Sequence, residues 1–171
     1  MARIDLVLGG TRSGKSVFAE NLVLQTDLTA IYLATAQAFD DEMKTRINVH
    51  QERRKDHWQT LECPLELGAA LKNLNSPDNI ILVDCLTLWL SNLMLNDYDI
   101  AAYQNTLLNQ LQNNQSHLVF VANEVGLGIV PDNKLGRQFR DFAGELNQKI
   151  ASYADNVYFI AAGLPIQLKG N

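Results

Sequence analysis

The residues best suited to chemistry lie between Gly9 and Ser16. They read GGTRSGKS and fit G-x-x-x-x-G-K-[ST], the phosphate-binding loop (P-loop), in which backbone amides surround a polyphosphate. The lysine of this motif reaches the β- and γ-phosphates, and the hydroxyl of its last residue binds Mg²⁺. We therefore predict these roles for Lys15 and Ser16. The alternative is an ordinary glycine turn, which rarely matches all four fixed positions by chance. The predicted nucleotide contacts of the loop are Gly9, Gly10, Thr11, Arg12, Ser13, Gly14, Lys15 and Ser16.

A second Mg²⁺ ligand is predicted at Asp84, an acidic residue directly after the apolar run Ile80–Val83. A buried strand that ends in a carboxylate is how a Walker B acid reaches Mg²⁺ opposite a P-loop. Many parallel strands end in Asp, so this pattern alone is weak evidence. It indicates a Walker B acid here because a P-loop motif precedes it in the chain. The sequence thus predicts Ser16 and Asp84 as the Mg²⁺ ligands.

The densest cationic run in this acidic chain lies in its polar segment from Asp40 to Glu62. Arginines neutralise phosphate charge bidentately, and a neutral imidazole beside them can act as a base or a nucleophile. The alternative is a solvated helical face. The cationic residues of this run are Arg46, His50, Arg53, Arg54, Lys55 and His57.

The elements that must position these groups follow from hydrophobic periodicity. Five strands alternate with helices, which is typical of a parallel, doubly wound α/β domain with helices on both faces of the sheet. Strands are predicted at Ile4–Leu8, Ala30–Thr35, Ile80–Asp84, His117–Val125 and Val157–Gly163, the last followed by a short tail. Helices are predicted at Ser16–Val23, Asp40–His50, Leu65–Leu74, Leu86–Leu95, Asp99–Asn113 and Asn133–Ala154.

Two further positions are interpreted from their place on these strands. Thr35 and Gln37 lie at the end of the second strand, at the edge where open α/β sheets bind ligands, so they are expected to face a nucleotide. The alternative is a plain strand-to-helix turn. His117 begins its strand, away from that edge, and is interpreted as structural.

Composition sets the class of protein. The chain has 171 residues, 47% of them hydrophobic and 19% charged, which suits one globular domain spanning residues 1–171. The net charge of −5 argues against a nucleic-acid partner. Cys63 and Cys85 fit no metal pattern and are expected to be reduced and buried. With no apolar run of membrane-spanning length and no signal peptide, we expect a soluble cytoplasmic protein without a membrane span.

Nearly the full chain resembles one known family, the bifunctional adenosylcobinamide kinase/adenosylcobinamide-phosphate guanylyltransferases of cobalamin biosynthesis. The P-loop belongs to the resemblance but is shared by many unrelated proteins. Two later blocks are more specific: one from Arg46 through His50 and Arg54 to Glu62, and one from Asn123 to Pro131. The other matching blocks are Tyr32–Gln37 and Asp40–Met43.

The resemblance implies a RecA-like P-loop fold, a homotrimer and two reactions. Adenosylcobinamide is phosphorylated with ATP or GTP, and GMP from GTP is then transferred to the adenosylcobinamide phosphate through a GMP-histidine intermediate. Carried over by position, His50 is the guanylylated residue. The nucleotide contacts implied outside the P-loop are Thr35, Ala36, Gln37, Gln51, Glu52, Arg53, Arg54, Glu62 and Asp84.

Three alternatives remain open from the residues alone. His57 is the second candidate for the nucleophile, although its neighbour Trp58 suggests a packed site. A P-loop kinase of another small alcohol would use Lys15, Ser16 and Asp84 but form no covalent nucleotide. A switch-type nucleotide-binding protein would hydrolyse slowly and need a protein partner.

Overall fold

A computed structural model describes residues 2–37 and 58–170 of the chain. Within these ranges twelve elements follow one another. The strands are β1 (Arg3–Gly9), β2 (Thr29–Ala34), β3 (Gln59–Glu62), β4 (Asn79–Asp84), β5 (His117–Asn123), β6 (Asn156–Ala161) and β7 (Leu164–Lys169). The helices are α1 (Lys15–Leu24), α2 (Leu67–Asn73), α3 (Leu86–Leu95), α4 (Ile100–Gln112) and α5 (Lys134–Tyr153).

The described strands form one sheet in the order β3-β2-β4-β5-β1-β6-β7. All neighbouring pairs are parallel except β6 with β7, which run antiparallel. The central strands β1, β4 and β5 are nearly continuous apolar runs, as strands covered on both faces must be. Strand β5 lies between β1, which leads into the P-loop, and β4, which ends at Asp84.

Helices cover both faces of the sheet, which confirms the predicted doubly wound α/β architecture. Ala19 and Val23 of α1 pack with Val7 and Val121 on one face. Helices α2 to α5 pack on the other face, where the indole of Trp89 is fully buried. The central strands β1, β4 and β5 therefore alternate their side chains between two apolar layers, and polar groups such as Asp84 and Asn123 lie where these strands end.

Two strands were missing from the sequence-based prediction. The chain was expected to contribute five strands, whereas the described residues form seven. The four-residue edge strand β3 was wrongly included in a polar segment, because only Leu61 of it packs against the core. Strand β7 was wrongly predicted as a tail, and its antiparallel course makes the sheet mixed. The helix predicted at Asp40–His50 lies outside the described residues.

A buried cluster of polar side chains around Asp5 connects β1, β5 and β6 by hydrogen bonds near the amino ends of these strands. Asp5 of β1 is completely buried, and its Oδ2 lies 2.7 Å from Nε2 of His117 on β5. Its Oδ1 accepts hydrogen bonds from Asn156 of β6 at 2.7 Å and from Arg3 at 3.0 Å. Burial raises the pKa of Asp5, but the hydrogen bonds from His117, Asn156 and Arg3 outweigh it and hold that pKa below its usual 3.8. The structural interpretation of His117 agrees with this placement.

Both cysteines are free and buried, as predicted. Burial, assisted by the charge of Glu66, raises the pKa of Cys63 to about 11. Burial and the charge of Asp84 raise the pKa of Cys85 to about 11 as well. None of the helices within the described ranges is both long and apolar enough to cross a membrane.

Candidate functional site

The predicted P-loop connects the end of β1 to the start of α1, so the expected strand, loop and helix follow in that order. Gly9 ends β1 at a point with no room for a side chain, since a Cβ there would lie 2.5 Å from Ser13 Oγ and 2.7 Å from the carbonyl oxygen of Ile160. Gly14 precedes the first turn of α1 with φ of 96°, a backbone conformation that favours glycine. A loop between a strand and a helix N-terminus is the arrangement in which backbone amides and the positive end of the helix dipole can bind a polyphosphate.

The backbone of the turn between β6 and β7 contacts the P-loop and supports it. The amide of Gly163 donates a 2.8 Å hydrogen bond to the carbonyl oxygen of Ser13. A Cβ on Gly14 would lie 3.2 Å from the Cα of Gly163, so the two backbones are in close contact. This support was not predicted from the sequence, although Ala162-Gly163, a small turn before an alternating apolar stretch, was a signal for it.

The ammonium group of Lys15 is folded back over the loop. It donates a 3.0 Å hydrogen bond to the carbonyl oxygen of Gly10, and the side chain is buried. Burial lowers the pKa of Lys15, while the acidic groups of Cys85 and Asp84 act in the opposite direction. Lys15 is therefore a desolvated cation within electrostatic reach of Asp84, and a bound phosphate would compensate its charge.

Asp84 ends β4 and is oriented by Tyr32. The phenol of Tyr32 donates a 2.9 Å hydrogen bond to Oδ2 of Asp84, which leaves Oδ1 without a hydrogen bond from the described residues. Ser16 lies in the first turn of α1, and its hydroxyl likewise makes no hydrogen bond within the described residues. Mg²⁺ is commonly held by one or two protein oxygens together with phosphates and waters, and Ser16 and Asp84 fit that donor set. Tyr32 was not predicted as the partner of Asp84, although the pairing of β2 with β4 places both side chains on one face.

Thr35 was expected to face a nucleotide at the end of β2, but its side chain points into the protein interior. Thr35 is completely buried, and its Oγ1 donates to the carbonyl oxygen of Cys85 at 2.8 Å and accepts from the amide of Cys85 at 2.7 Å. Its carbonyl oxygen accepts a further hydrogen bond from Asn92 of α3 at 2.8 Å. The hydroxyl of Thr35 thus fixes the backbone that follows Asp84. Ala36 and Gln37, the next two residues, are half-buried.

Three strand ends lie level with one another along the carboxyl edge. Ala34 of β2 pairs with Asp84 of β4 on one side and with Glu62 of β3 on the other. Glu62 is exposed at the edge strand, two strand positions from Asp84. Its carboxylate is therefore placed on the same edge as the P-loop but at the far side of β2.

The end of β5 fills the gap between β4 and the P-loop. Asn123 pairs with Gly9, and its amide donates a 2.7 Å hydrogen bond to the hydroxyl of Thr87 at the start of α3. The amide of Glu124 donates to the carbonyl oxygen of Gly9 at 3.1 Å. Oε1 of Glu124 accepts from the amide of Gly126 at 2.6 Å, which fixes the start of the following loop. The chain after β5 is thereby attached directly to the P-loop.

The second group of predicted site residues lies outside the described residues. This group comprises the predicted nucleophile and the neighbouring predicted contacts, with the alternative nucleophile: Arg46, His50, Gln51, Glu52, Arg53, Arg54 and His57. The structure brings together the P-loop, Asp84, Gln37 and Glu62 on one edge of the sheet. This arrangement can bind a nucleotide polyphosphate and transfer a phosphoryl group to an alcohol.

Comparison with known proteins shows which family the chain is similar to. Residues 5–168 match the family described as cobinamide kinase / cobinamide phosphate guanyltransferase. The bifunctional adenosylcobalamin biosynthesis protein CobP of Pseudomonas aeruginosa is 48% identical over 168 residues, covering 97% of either chain. The bifunctional adenosylcobalamin biosynthesis protein CobU of Salmonella typhimurium is 39% identical over 179 residues, covering 96% of this chain and 98% of the relative.

Solved structures with similar folds are more distant in sequence. The flagellar accessory protein FlaH from Methanocaldococcus jannaschii superposes with a TM-score of 0.55 at 12% identity, covering 99% of this chain and 79% of that one. A protein from Pyrococcus horikoshii OT3 gives a TM-score of 0.56 at 11% identity, with 98% and 86% coverage. These likenesses support the P-loop NTPase fold alone.

Proposed function

This chain belongs to the cobinamide kinase / cobinamide phosphate guanyltransferase family of enzymes, and from that premise we propose that it carries out both reactions on adenosylcobinamide. ATP or GTP phosphorylates the substrate's hydroxyl group, and GMP from GTP is then transferred to the new phosphate through a GMP-histidine intermediate. The product is adenosylcobinamide-GDP. The observation that carries the proposal is the family match over residues 5–168, together with a P-loop whose Lys15 lies within electrostatic reach of Asp84.

In the kinase reaction the chain's contribution is positioning and charge neutralisation. The amides of the P-loop hold the β- and γ-phosphates, and Lys15 exchanges its hydrogen bond with Gly10 for one with phosphate oxygen. Ser16 and Asp84 would hold Mg²⁺, which supplies further neutralisation of phosphate charge. Tyr32 keeps Asp84 in the orientation that leaves one carboxylate oxygen available. Ala36 and Gln37 line the same edge as nucleotide contacts.

In the guanylyl transfer the proposed nucleophile is His50. A ring nitrogen of neutral His50 attacks the α-phosphorus of GTP, and the bond to pyrophosphate breaks. A phosphate oxygen of adenosylcobinamide phosphate then attacks the same phosphorus and releases the imidazole. Arg46, Arg53 or Arg54 would stabilise the charge that develops on the phosphates, since guanidinium groups bind phosphate bidentately.

The remaining proposed contacts belong to the guanine nucleotide. Gln51 and Glu52 follow the nucleophile directly and are assigned as contacts from the family resemblance. Glu62 is proposed to bind the guanine edge or the ribose, because a carboxylate repels phosphates. Its exposed position on the same strand edge as Asp84 is compatible with that role.

Two properties of the whole protein complete the proposal. The family resemblance supports a homotrimer, which light scattering coupled to size-exclusion chromatography would measure directly. The two free cysteines support a reducing compartment, and we propose the cytoplasm.

The covalent step is tested with GTP labelled at the α-phosphate. We expect wild-type protein incubated with Mg²⁺ and this GTP to carry an acid-labile label, because a phosphoramidate hydrolyses in acid. His50→Ala should lose the label, and His57→Ala, the matched control, should keep it. Phosphorylation of adenosylcobinamide by ATP is measured in parallel on the same three proteins.

Each other outcome has a defined meaning. A folded wild type that binds GTP but takes no label would refute the guanylyl transfer and leave a P-loop kinase. A label that disappears in His57→Ala and persists in His50→Ala would move the nucleophile to His57.

A further inference from the structure

The loop between β5 and α5 presents apolar side chains to solvent beside the proposed kinase site. We call the segment from Gly126 to Pro131 the β5–α5 loop. Leu127 is 80% exposed, Ile129 97% and Val130 57%. None of the residues of this loop is charged. Because apolar surface in water is unfavourable, a group of such side chains on one loop indicates a surface that binds a partner.

Hydrogen bonds hold the backbone of the β5–α5 loop at both of its ends. At its start, the amide of Glu124 donates to the carbonyl oxygen of Gly9 at 3.1 Å, and Oε1 of Glu124 accepts from the amide of Gly126 at 2.6 Å. At its end, Nη1 of Arg137 donates to the carbonyl oxygen of Pro131 at 3.0 Å. The apolar side chains therefore extend from a backbone that is already positioned, which lowers the entropic cost of binding.

The β5–α5 loop lies at the carboxyl edge of the sheet, next to the P-loop. The last residue of β5, Asn123, pairs with Gly9, at which β1 ends and the P-loop begins. The chain leaves the sheet at this point and returns to it only after α5. A molecule whose hydroxyl group meets a phosphate held by the P-loop therefore has the β5–α5 loop among its nearest surfaces.

The substrate of the proposed kinase reaction is much larger than the hydroxyl group that reacts. In adenosylcobinamide this hydroxyl lies at the end of a short amino-alcohol arm, which is attached to the edge of a corrin macrocycle. The faces of the macrocycle carry methyl groups and conjugated carbon, and its edge carries uncharged carboxamides. When the hydroxyl reaches the γ-phosphate, the macrocycle stays outside the P-loop. It then requires an uncharged, apolar surface within one arm's length of the P-loop.

We propose that the β5–α5 loop binds the corrin macrocycle of adenosylcobinamide through Leu127, Ile129 and Val130. The proposal rests on the kinase function proposed above and assigns a contact to the part of the substrate that the P-loop does not bind. Contacts with a remote part of a substrate place its reacting group. The loop thereby holds the substrate hydroxyl at the γ-phosphate.

A second copy of the chain is the competing occupant of this surface. A stable interface between proteins takes about 800 Å² and about 20–30 residues on each side. The β5–α5 loop is a short segment and provides only a small part of such an area. Its size and its lack of charge therefore fit one face of a small, apolar ligand better than a protein partner.

Serine substitutions in the β5–α5 loop test the proposal. Leu127→Ser and Ile129→Ser each remove apolar surface and leave the P-loop intact. Burial of one such side chain contributes enough to change an affinity about tenfold, so we expect the Kd for adenosylcobinamide to rise about tenfold in each variant. Ile129→Leu keeps the apolar surface and should bind within about twofold of wild type. The matched control is Leu95→Ser, because Leu95 is 61% exposed and ends α3, away from the carboxyl edge.

Equilibrium dialysis in the presence of MgADP measures the binding of adenosylcobinamide directly, since the corrin absorbs visible light. The KM for MgATP should stay within about twofold of wild type in both serine variants, because the proposal gives the loop no contact with the nucleotide. Phosphorylation of adenosylcobinamide and the oligomeric state are measured on the same proteins.

The outcomes separate this proposal from the proposed function. If wild type binds and phosphorylates adenosylcobinamide and both serine variants keep its Kd, the proposed contact is refuted and the kinase function stands. If wild type binds it without phosphorylating it, the kinase function is refuted, while a higher Kd in the serine variants still supports the contact. Dissociation of an oligomer in the serine variants would overturn the proposal and assign the loop to an interface between copies. A wild type that does not bind adenosylcobinamide would refute both.

Discussion

Lys15 illustrates at the scale of one residue how a binding group can cost stability. Its ammonium is buried with one hydrogen bond to a carbonyl oxygen, and burial lowers its pKa. A buried charge that lacks full compensation destabilises a fold. The nucleotide-free protein therefore contains a cation that becomes fully compensated only when a phosphate binds.

We expect Lys15→Met to leave the melting temperature of the nucleotide-free protein unchanged or to raise it, because a chain of similar length replaces the buried charge. The same variant should lose the rise in melting temperature that MgATP or MgGTP gives wild type. Differential scanning fluorimetry with and without nucleotide measures both effects. Lys72→Met, on the exposed side of α2, is the control and should keep the nucleotide response. A nucleotide-dependent rise that survives in Lys15→Met would contradict the assigned role.

At the scale of an element, two adjacent glycines of the P-loop, Gly9 and Gly10, differ in whether the structure leaves room for a side chain. A Cβ at Gly9 would meet Ser13 Oγ and the carbonyl oxygen of Ile160, whereas a Cβ at Gly10 meets nothing within 4 Å. The first glycine is thus required by close packing of the loop against β6, and the second is not.

We expect Gly9→Ala to lower both the melting temperature and the affinity for nucleotide, the latter by at least about tenfold, because the loop must shift away from β6. Gly10→Ala should fold as wild type does. Thermal unfolding and titration with a fluorescent GTP analogue compare the two variants directly. Equal effects of both substitutions would show that backbone flexibility, and not the contact with β6, decides the requirement.

The elements that could be predicted from the sequence are those whose local pattern agrees with their tertiary environment. The apolar runs of β1, β4 and β5 are covered on both faces, so their composition alone identifies them. Strand β3 was missed because three of its four residues are exposed and carry no core pattern. Strand β7 alternates Leu164, Ile166 and Leu168, but all of its residues are exposed and Pro165 is a residue type that disfavours strand interiors.

The same distinction applies to the candidate site. The P-loop and Asp84 were predicted because a short motif carries their chemistry. The contact of Tyr32 with Asp84, the support from Gly163 and the place of Asn123 all depend on which strands become neighbours. The order β4-β5-β1 joins segments that are distant in the chain, and no local pattern specifies that order.

At the scale of the whole molecule, the cluster around Asp5 links the pH of the solution to global stability. The folded pKa of Asp5 is lower than that of an unfolded carboxyl, so the stabilisation is present above about pH 4 and is lost as the pH falls through the folded pKa. Asp5→Asn should therefore lower the free energy of unfolding by about 1–3 kcal/mol at pH 7. The difference from wild type should shrink below pH 4.

Urea unfolding at pH 7 and at pH 3.5 measures this dependence. Asp27→Asn is the control, since Asp27 is an exposed carboxyl. A difference between Asp5→Asn and wild type that is the same at both pH values would mean that packing, and not the charge of Asp5, stabilises this end of the sheet.

The contact between Ser13 and Gly163 has a consequence for the order in which the protein is made. A ribosome completes the P-loop motif early, yet the backbone that supports the motif, the turn after β6, is translated much later. Strand β1 likewise cannot complete its pairing until β5 and β6, which pair with its two edges, have been translated. A nascent chain should therefore carry a recognisable nucleotide-binding sequence long before it can bind a nucleotide. Binding of labelled GTP by stalled translation products of increasing length should begin only once residue 163 has left the exit tunnel.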